Sequence, residues 1–194
     1  MAQQENPKPT TLPPERLWEL IGAPTYEASK RRRPLSKHTR KNLKEGSLGC
    51  THHGGDRCMG GYEEHLGVAR YYLEEAYRLL ERGDPFDAAE KVWAAVRHAT
   101  MALTLKVLGE ATPPKGLSWR SFVKEAFIKA GLSESEASSL ASYYIDVRSR
   151  LHGGCFYGLT YEEEEHRPLM EKARDYVELI ERIVRGTIKP HPPR

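Results

Sequence analysis

Side-chain amides are almost missing from this chain of 194 residues: glutamine occurs only at Gln3 and Gln4, asparagine only at Asn6 and Asn42. Beside a charged fraction of 29%, that scarcity of heat-labile residues is the pattern of a heat-adapted protein. Long apolar runs are missing too. No stretch approaches the roughly 18 residues of a membrane-spanning helix, and the polar, proline-rich start lacks the apolar segment of a signal peptide. A cytoplasmic location without a membrane partner is expected. Cysteine is sparse and odd in number, Cys50, Cys58 and Cys155, which argues against a secreted disulfide framework and leaves a single Cys50 to Cys58 bond or free thiols as the plain options. Strand-like alternation and internal repeats are also lacking.

What is present divides near residue 61. The net charge of +3 hides an asymmetry, with 11 Lys/Arg against 6 Asp/Glu in residues 1–61 and 19 against 21 in residues 62–194. The first stretch carries Pro7, Pro9, Pro13 and Pro14 and is expected to be extended. Leu17, Trp18, Leu20 and Ile21 suit a short anchoring helix that Gly22 and Pro24 end. From Tyr62 the apolar period is helical. Leu66, Ala69, Leu73, Ala76 and Leu80 line one face of a first helix ended by Gly83, and Asp84-Pro85 caps a second carrying Ala89, Trp93, Val96, Leu103 and Val107. A third carries Trp119, Phe122, Val123, Ala126 and Phe127, up to Gly131. Ser133 and Glu136 form a capping box for a fourth, which carries Leu140, Ala141, Tyr144, Ile145 and Leu151 and should stop at Gly153-Gly154. Thr160 and Glu163 suggest a box for the last, with Pro168 delaying its start and Tyr176, Leu179, Ile180, Ile183 and Val184 facing inward.

The expectation is an all-α, antiparallel (up-and-down) helical bundle of about five helices over residues 62–186, an extended basic N-terminal arm over 1–61, and a tail over 187–194. Trp93, Trp119 and His98 read as core residues.

The run Ala88-Ala89-Glu90-Lys91-Val92-Trp93-Ala94-Ala95-Val96-Arg97-His98-Ala99-Thr100-Met101-Ala102-Leu103 resembles a helix of the HEPN superfamily. Leu151-His152-Gly153-Gly154-Cys155-Phe156-Tyr157 resembles a segment of its archaeal PaREP branch. The resemblance covers residues 62–185 and implies an up-and-down bundle, frequent dimerisation and a role near RNA or nucleotides. Nuclease members of that superfamily place four to six residues between an arginine and a histidine at a helix end. Here three separate Arg148 from His152, and one separates Arg150 from it.

Three sets of residues carry candidate chemistry. Arg148 and His152, four apart, share a helix face on which neutral His152 can take a 2′-hydroxyl proton while Arg148 or Arg150 stabilises charge on phosphorus; the competing reading is a histidine at a helix end among solvated arginines. Cys50, His52 or His53, and Cys58 lie in a glycine-rich loop, where thiolate and imidazole suit a structural zinc whose fourth ligand would come from His65, His152 or Cys155. Lys30, Arg31, Arg32, Arg33, Lys37, Arg40, Lys41 and Lys44 are eight cations in fifteen residues without an acid. Such a run repels itself and gains by releasing counterions from RNA or DNA; a solvated linker, or a patch facing the Glu162 to Glu165 run of a neighbouring molecule, is the alternative.

The leading expectation is therefore a non-catalytic RNA-associated binding protein that requires no cofactor, forms a homodimer, and docks its arm on structured RNA, for example in a ribonucleoprotein such as the ribosome. The alternatives are a metal-independent, toxin-like endoribonuclease and a protein-interaction module.

Overall fold

The computed structural model describes residues 61–187. The expectations for the arm, including its short helix, the cation run and Cys50, His52, His53 and Cys58, lie outside the described residues. So does the tail from residue 188 onward.

Five α-helices and one π-helical segment make an antiparallel bundle, with no strand among the described residues. Helix α1 (Tyr62–Glu81) buries Leu66, Ala69, Leu73 and Ala76 as its period predicts, with Leu80 packed at the edge. Glu63 and Glu64 in its first turn complement the positive end of the helix dipole. The connection of residues 82–84 is short enough to force α2 (Pro85–Leu108) back alongside α1. Asp84 accepts a hydrogen bond from the Asp87 backbone N–H at 3.1 Å, and Pro85 occupies the first helical position, where no N–H is needed.

Helix α2 is the central element, packing against α1, α3, α5 and the π-helical segment. Its buried residues run nearly all round the helix, with Ala88, Ala89, Ala95, Ala99 and Ala102 allowing close approach and Val92, Val96 and Leu103 filling the gaps. Trp93 is buried, as expected, whereas Trp119 and His98 are only half-buried.

Helix α3 (Trp119–Lys129) starts at Ser118, whose hydroxyl accepts from the Ser121 N–H at 3.1 Å. Helix α4 (Glu134–Asp146) starts at the anticipated capping box, in which Ser133 and Glu136 each bond the other's backbone N–H. Two buried tyrosines fasten the last helix. Tyr143 donates to the Leu169 carbonyl at 2.8 Å, and the Tyr176 hydroxyl lies 2.8 Å from that of Thr100, which donates to the Val96 carbonyl. Burial pushes the Tyr143 and Tyr176 hydroxyls well above the ordinary tyrosine range, so both stay neutral donors.

Two expectations need correction. The fourth helix does not stop at Gly153-Gly154. It passes without a break into a π-helical segment, Val147–Tyr157, that runs through both glycines. Val147, Leu151 and Cys155, spaced by four, are its buried residues, and a wider turn keeps that spacing close to one stripe against α2. The Gly158 N–H ends the segment on the Gly153 carbonyl at 3.0 Å. The last helix, α5 (Glu163–Val184), begins before Pro168 and not after it, and Thr160 does not cap it. The Thr160 hydroxyl bonds the Gly158 carbonyl instead, and the N-cap position falls to Glu162, whose backbone N–H donates to the His166 Nδ1 at 3.1 Å. Pro168 is tolerated because it lies on the exposed face, where water can reach the carbonyl its missing N–H leaves free.

Candidate functional site

The π-helical segment lies across the first half of α2. Glu90, in the second turn of α2, meets His152: the Glu90 Oε2 and His152 Nδ1 are 2.6 Å apart, and both side chains are half-buried. A carboxylate only accepts, so the imidazole must hold its proton on Nδ1. The Nε2 lone pair of neutral His152 is therefore left for another partner, an arrangement familiar in histidines that act as bases or ligands. Two rings steady the imidazole. Trp93, three residues after Glu90, stands 5.4 Å from it, and Tyr157 stands 4.9 Å away, nearly perpendicular.

The two arginines expected to assist are placed differently. Arg150 forms an ion pair with Glu165 in the first turn of α5. Arg148 is exposed and makes no ion pair or hydrogen bond among the described residues. Of the two, Arg148 is the one open to an anion. A second open cation was not anticipated. Arg97 lies seven residues beyond Glu90 and so on the same stripe of α2, exposed and without an ion pair among the described residues. Arg97 and Arg148 both act on Tyr144: burial raises its hydroxyl to about 12, and the two guanidiniums pull against that rise. Tyr144 packs on Trp93, which packs on His152. Arg97 and Arg148 thus lie close enough to Tyr144 to act on its hydroxyl, and Tyr144 connects through Trp93 to the His152 ring.

Glu90 was missed as a site residue because the contact that gives it a role is tertiary. A sequence signal was there nonetheless, since Glu90 and Arg97 are polar residues at a seven-residue spacing in a helix otherwise rich in Ala and Val.

A second pair of histidines lies where α1 meets α2. The Nδ1 atoms of His65 and His98 are 2.8 Å apart, so one ring donates to the other. Burial lowers the His65 ring below the ordinary histidine value, and burial, then His65, then Arg97 bring His98 down to about 4. Both are neutral near pH 7. His65 Nε2 is buried with no hydrogen-bond partner among the described residues.

The expected sources of a fourth zinc ligand differ in availability, because the two histidines are held through Nδ1 alone and keep Nε2 open. His65 bonds His98, His152 bonds Glu90, and Cys155 is fully buried with its Sγ 3.9 Å from the Pro85 carbonyl and its thiol pushed up by burial. No group of three metal-ligating side chains occurs among the described residues, and no helix among them is long and apolar enough to cross a membrane.

Fold and site together define an all-α bundle that holds a carboxylate-oriented histidine against its central helix. The chain belongs to the archaeal PaREP1/PaREP8 family, whose sequence signature matches residues 64–177, a span that includes Glu90, Arg97, Arg148, His152 and Tyr157. No curated protein and no solved structure matches it.

Proposed function

We propose that this chain is a cytoplasmic, RNA-associated protein of HEPN type, in which the basic arm supplies affinity and the centre around His152 contacts the sugar-phosphate backbone. The observation that carries this reading is the pairing of Glu90 with His152, which leaves Nε2 free about one helical turn from the exposed Arg148. A neutral imidazole with Nε2 open accepts from a 2′-hydroxyl, and a protonated one donates to a phosphate oxygen. Arg148 adds a guanidinium suited to two phosphate oxygens at once. The acid-free run of Lys30, Arg31, Arg32, Arg33, Lys37, Arg40, Lys41 and Lys44 supports the same ligand from the sequence. A homodimer belongs to this reading as the resemblance to HEPN proteins implies.

Endoribonuclease activity is the second reading, and the same Glu90–His152 pair favours it, because a carboxylate-held imidazole is the usual form of a general base. Binding ranks first for a chemical reason. Strand cleavage through a 2′,3′-cyclic phosphate needs a base for the 2′-hydroxyl and an acid for the leaving 5′-oxygen, and the described residues place one histidine at this centre.

Full-length protein mixed with total RNA in EDTA tests both readings. Binding with a twofold to tenfold loss in Arg148→Ala, and no cyclic-phosphate fragments, is the expected result. Fragments made by wild type and not by His152→Ala would make the chain a nuclease, and no binding at any salt concentration would overturn the RNA reading.

A further inference from the structure

Most large apolar side chains of this bundle are covered, yet Tyr157 is 70% exposed. It closes the π-helical segment, stands 4.9 Å from the His152 ring and 5.0 Å from Phe156, and lies nearly perpendicular to both. Its backbone position is set by a close approach. A side chain on the next residue, Gly158, would collide with the Gly154 carbonyl oxygen, so the chain can turn out of the π-helix only at a glycine. The ring is thus held by two edge-on aromatic neighbours while most of its surface faces water.

We infer that Tyr157 is a stacking platform for one nucleobase of single-stranded RNA, placed so that the sugar-phosphate of that nucleotide reaches His152 and Arg148. The inference rests on the RNA reading above and adds the single-stranded class of ligand to it. Bases stack on exposed aromatic rings without regard to sequence, whereas bases inside a duplex offer no free face. Charge on the same segment agrees, because Arg148 is an exposed cation about one turn from His152.

A protein partner fits less well. Among the described residues, Leu159 at 73% is the other large apolar side chain left mostly exposed, with Ile128 at 43% on a different helix. Two side chains fall far short of the roughly 800 Å² per partner that a stable protein interface covers.

The test uses the full chain, a fluorescein-labelled 12-nucleotide oligoadenylate, and a 12-unit abasic ribose-phosphate strand, each titrated over a range of salt concentrations. Tyr157→Ala should weaken oligoadenylate binding roughly tenfold at every salt concentration without changing the slope of log affinity against log salt, because a stacked base is lost and no phosphate contact is. Tyr157→Phe should bind within about twofold of wild type, since the ring is what stacks. Wild type should bind the abasic strand as weakly as Tyr157→Ala binds oligoadenylate.

Unchanged binding by Tyr157→Ala, or equal binding of both strands by wild type, would overturn the platform while leaving the RNA reading intact. No binding of oligoadenylate by wild type that still binds total RNA would overturn the platform alone, and no binding of either would overturn both. Conversion of a dimer to a monomer by Tyr157→Ala, read by sedimentation, would make this face an interface between copies and also overturn the inference.

Discussion

Glu90 on α2 and His152 in the π-helical segment are 62 residues apart in the chain and 2.6 Å apart in space. The contact ties the centre of the bundle to its least regular element, and it decides which imidazole nitrogen faces outward. Trp93 and Tyr157 pack on the ring, so a single polar contact fixes the tautomer while two aromatic ones fix the ring's position.

Removing that acceptor should be visible directly. In wild type, nitrogen NMR of His152 is expected to show the proton on Nδ1. Glu90→Ala frees Nδ1 and should move His152 towards the Nε2–H tautomer of a free imidazole, at a cost of about 1 kcal/mol of stability for a half-buried, charge-assisted hydrogen bond. An unchanged tautomer in Glu90→Ala would mean that something other than Glu90 orients the ring.

The His65–His98 pair makes stability depend on pH. His98 titrates at about 4 in the folded chain against an ordinary value of 6.5, and His65 is shifted the same way. The unfolded chain therefore binds more protons between those values, and stability must rise with pH through that window and fall as the solution is acidified. The His98 shift alone corresponds to on the order of 2 kcal/mol once partial exposure is allowed for. Urea unfolding at pH 4.5 and pH 7 should show the loss, and His98→Gln, which cannot take up the proton, should flatten the profile. A profile equally steep in the variant would place the acid sensitivity elsewhere.

What the sequence disclosed is what local chemistry decides. Asp84-Pro85 and the box of Ser133 with Glu136 act within one turn, so the starts of α2 and α4 were legible, and the three- and four-residue apolar period marked the buried faces. The end of α4 and the start of α5 were misread because the local preferences of Gly153-Gly154 and Thr160 lost to packing. Leu151 and Cys155 are held against α2 across the glycines, and the tight turn at Gly158 draws Thr160 away from the helix it was expected to cap. Arg148 and His152 could be named from spacing alone. Glu90 acquires its relation to His152 only through the tertiary fold, and His65 with His98 likewise, whereas Tyr157 meets His152 because the segment between them is π-helical.

Gly158 should prove the most sensitive glycine of the segment. A methyl group there meets the Gly154 carbonyl oxygen head on, and neither backbone can retreat while the Gly158 N–H is bonded to Gly153. Gly158→Ala is expected to destabilise the fold by about 1 to 3 kcal/mol, as overpacking does elsewhere. The companion Gly154→Ala, whose added carbon would sit 3.8 Å from its nearest neighbour, should cost clearly less. Thermal unfolding of the two variants side by side would decide it, and equal losses would contradict the geometry.

A zinc ion at Cys50, His52 and Cys58 remains a proposal, and the bundle limits where its remaining ligand can come from. Because Cys155 is fully buried while His65 and His152 keep Nε2 open, metal bound by the full chain should survive Cys155→Ala and be lost in Cys58→Ser. Metal analysis of protein prepared without an affinity tag measures this. Loss of zinc in His65→Gln or in His152→Gln would identify the fourth ligand, and retention of zinc in Cys58→Ser would overturn the site.

The division of labour between arm and bundle gives the last prediction. Helices α2, α3 and α4 take their N-terminal caps from Asp84, Ser118 and Ser133, all within the bundle, and its apolar faces cover one another. Deleting residues 1–61 should therefore leave helical circular dichroism and cooperative thermal unfolding. RNA affinity should fall steeply, because the eight cations of residues 30–44 leave with the arm. On single-stranded RNA each neutralised phosphate contributes about 0.7 to the slope of log affinity against log salt, so replacing Arg31, Arg32 and Arg33 with Ala should flatten that slope by roughly two. Salt titrations of wild type, the triple variant and the truncated chain give three slopes, expected to decrease in that order. A truncated chain that unfolds without cooperativity would show that the arm is part of the bundle, whereas one that folds and keeps the wild-type slope would move the electrostatic contact from the arm to the face carrying Arg97 and Arg148.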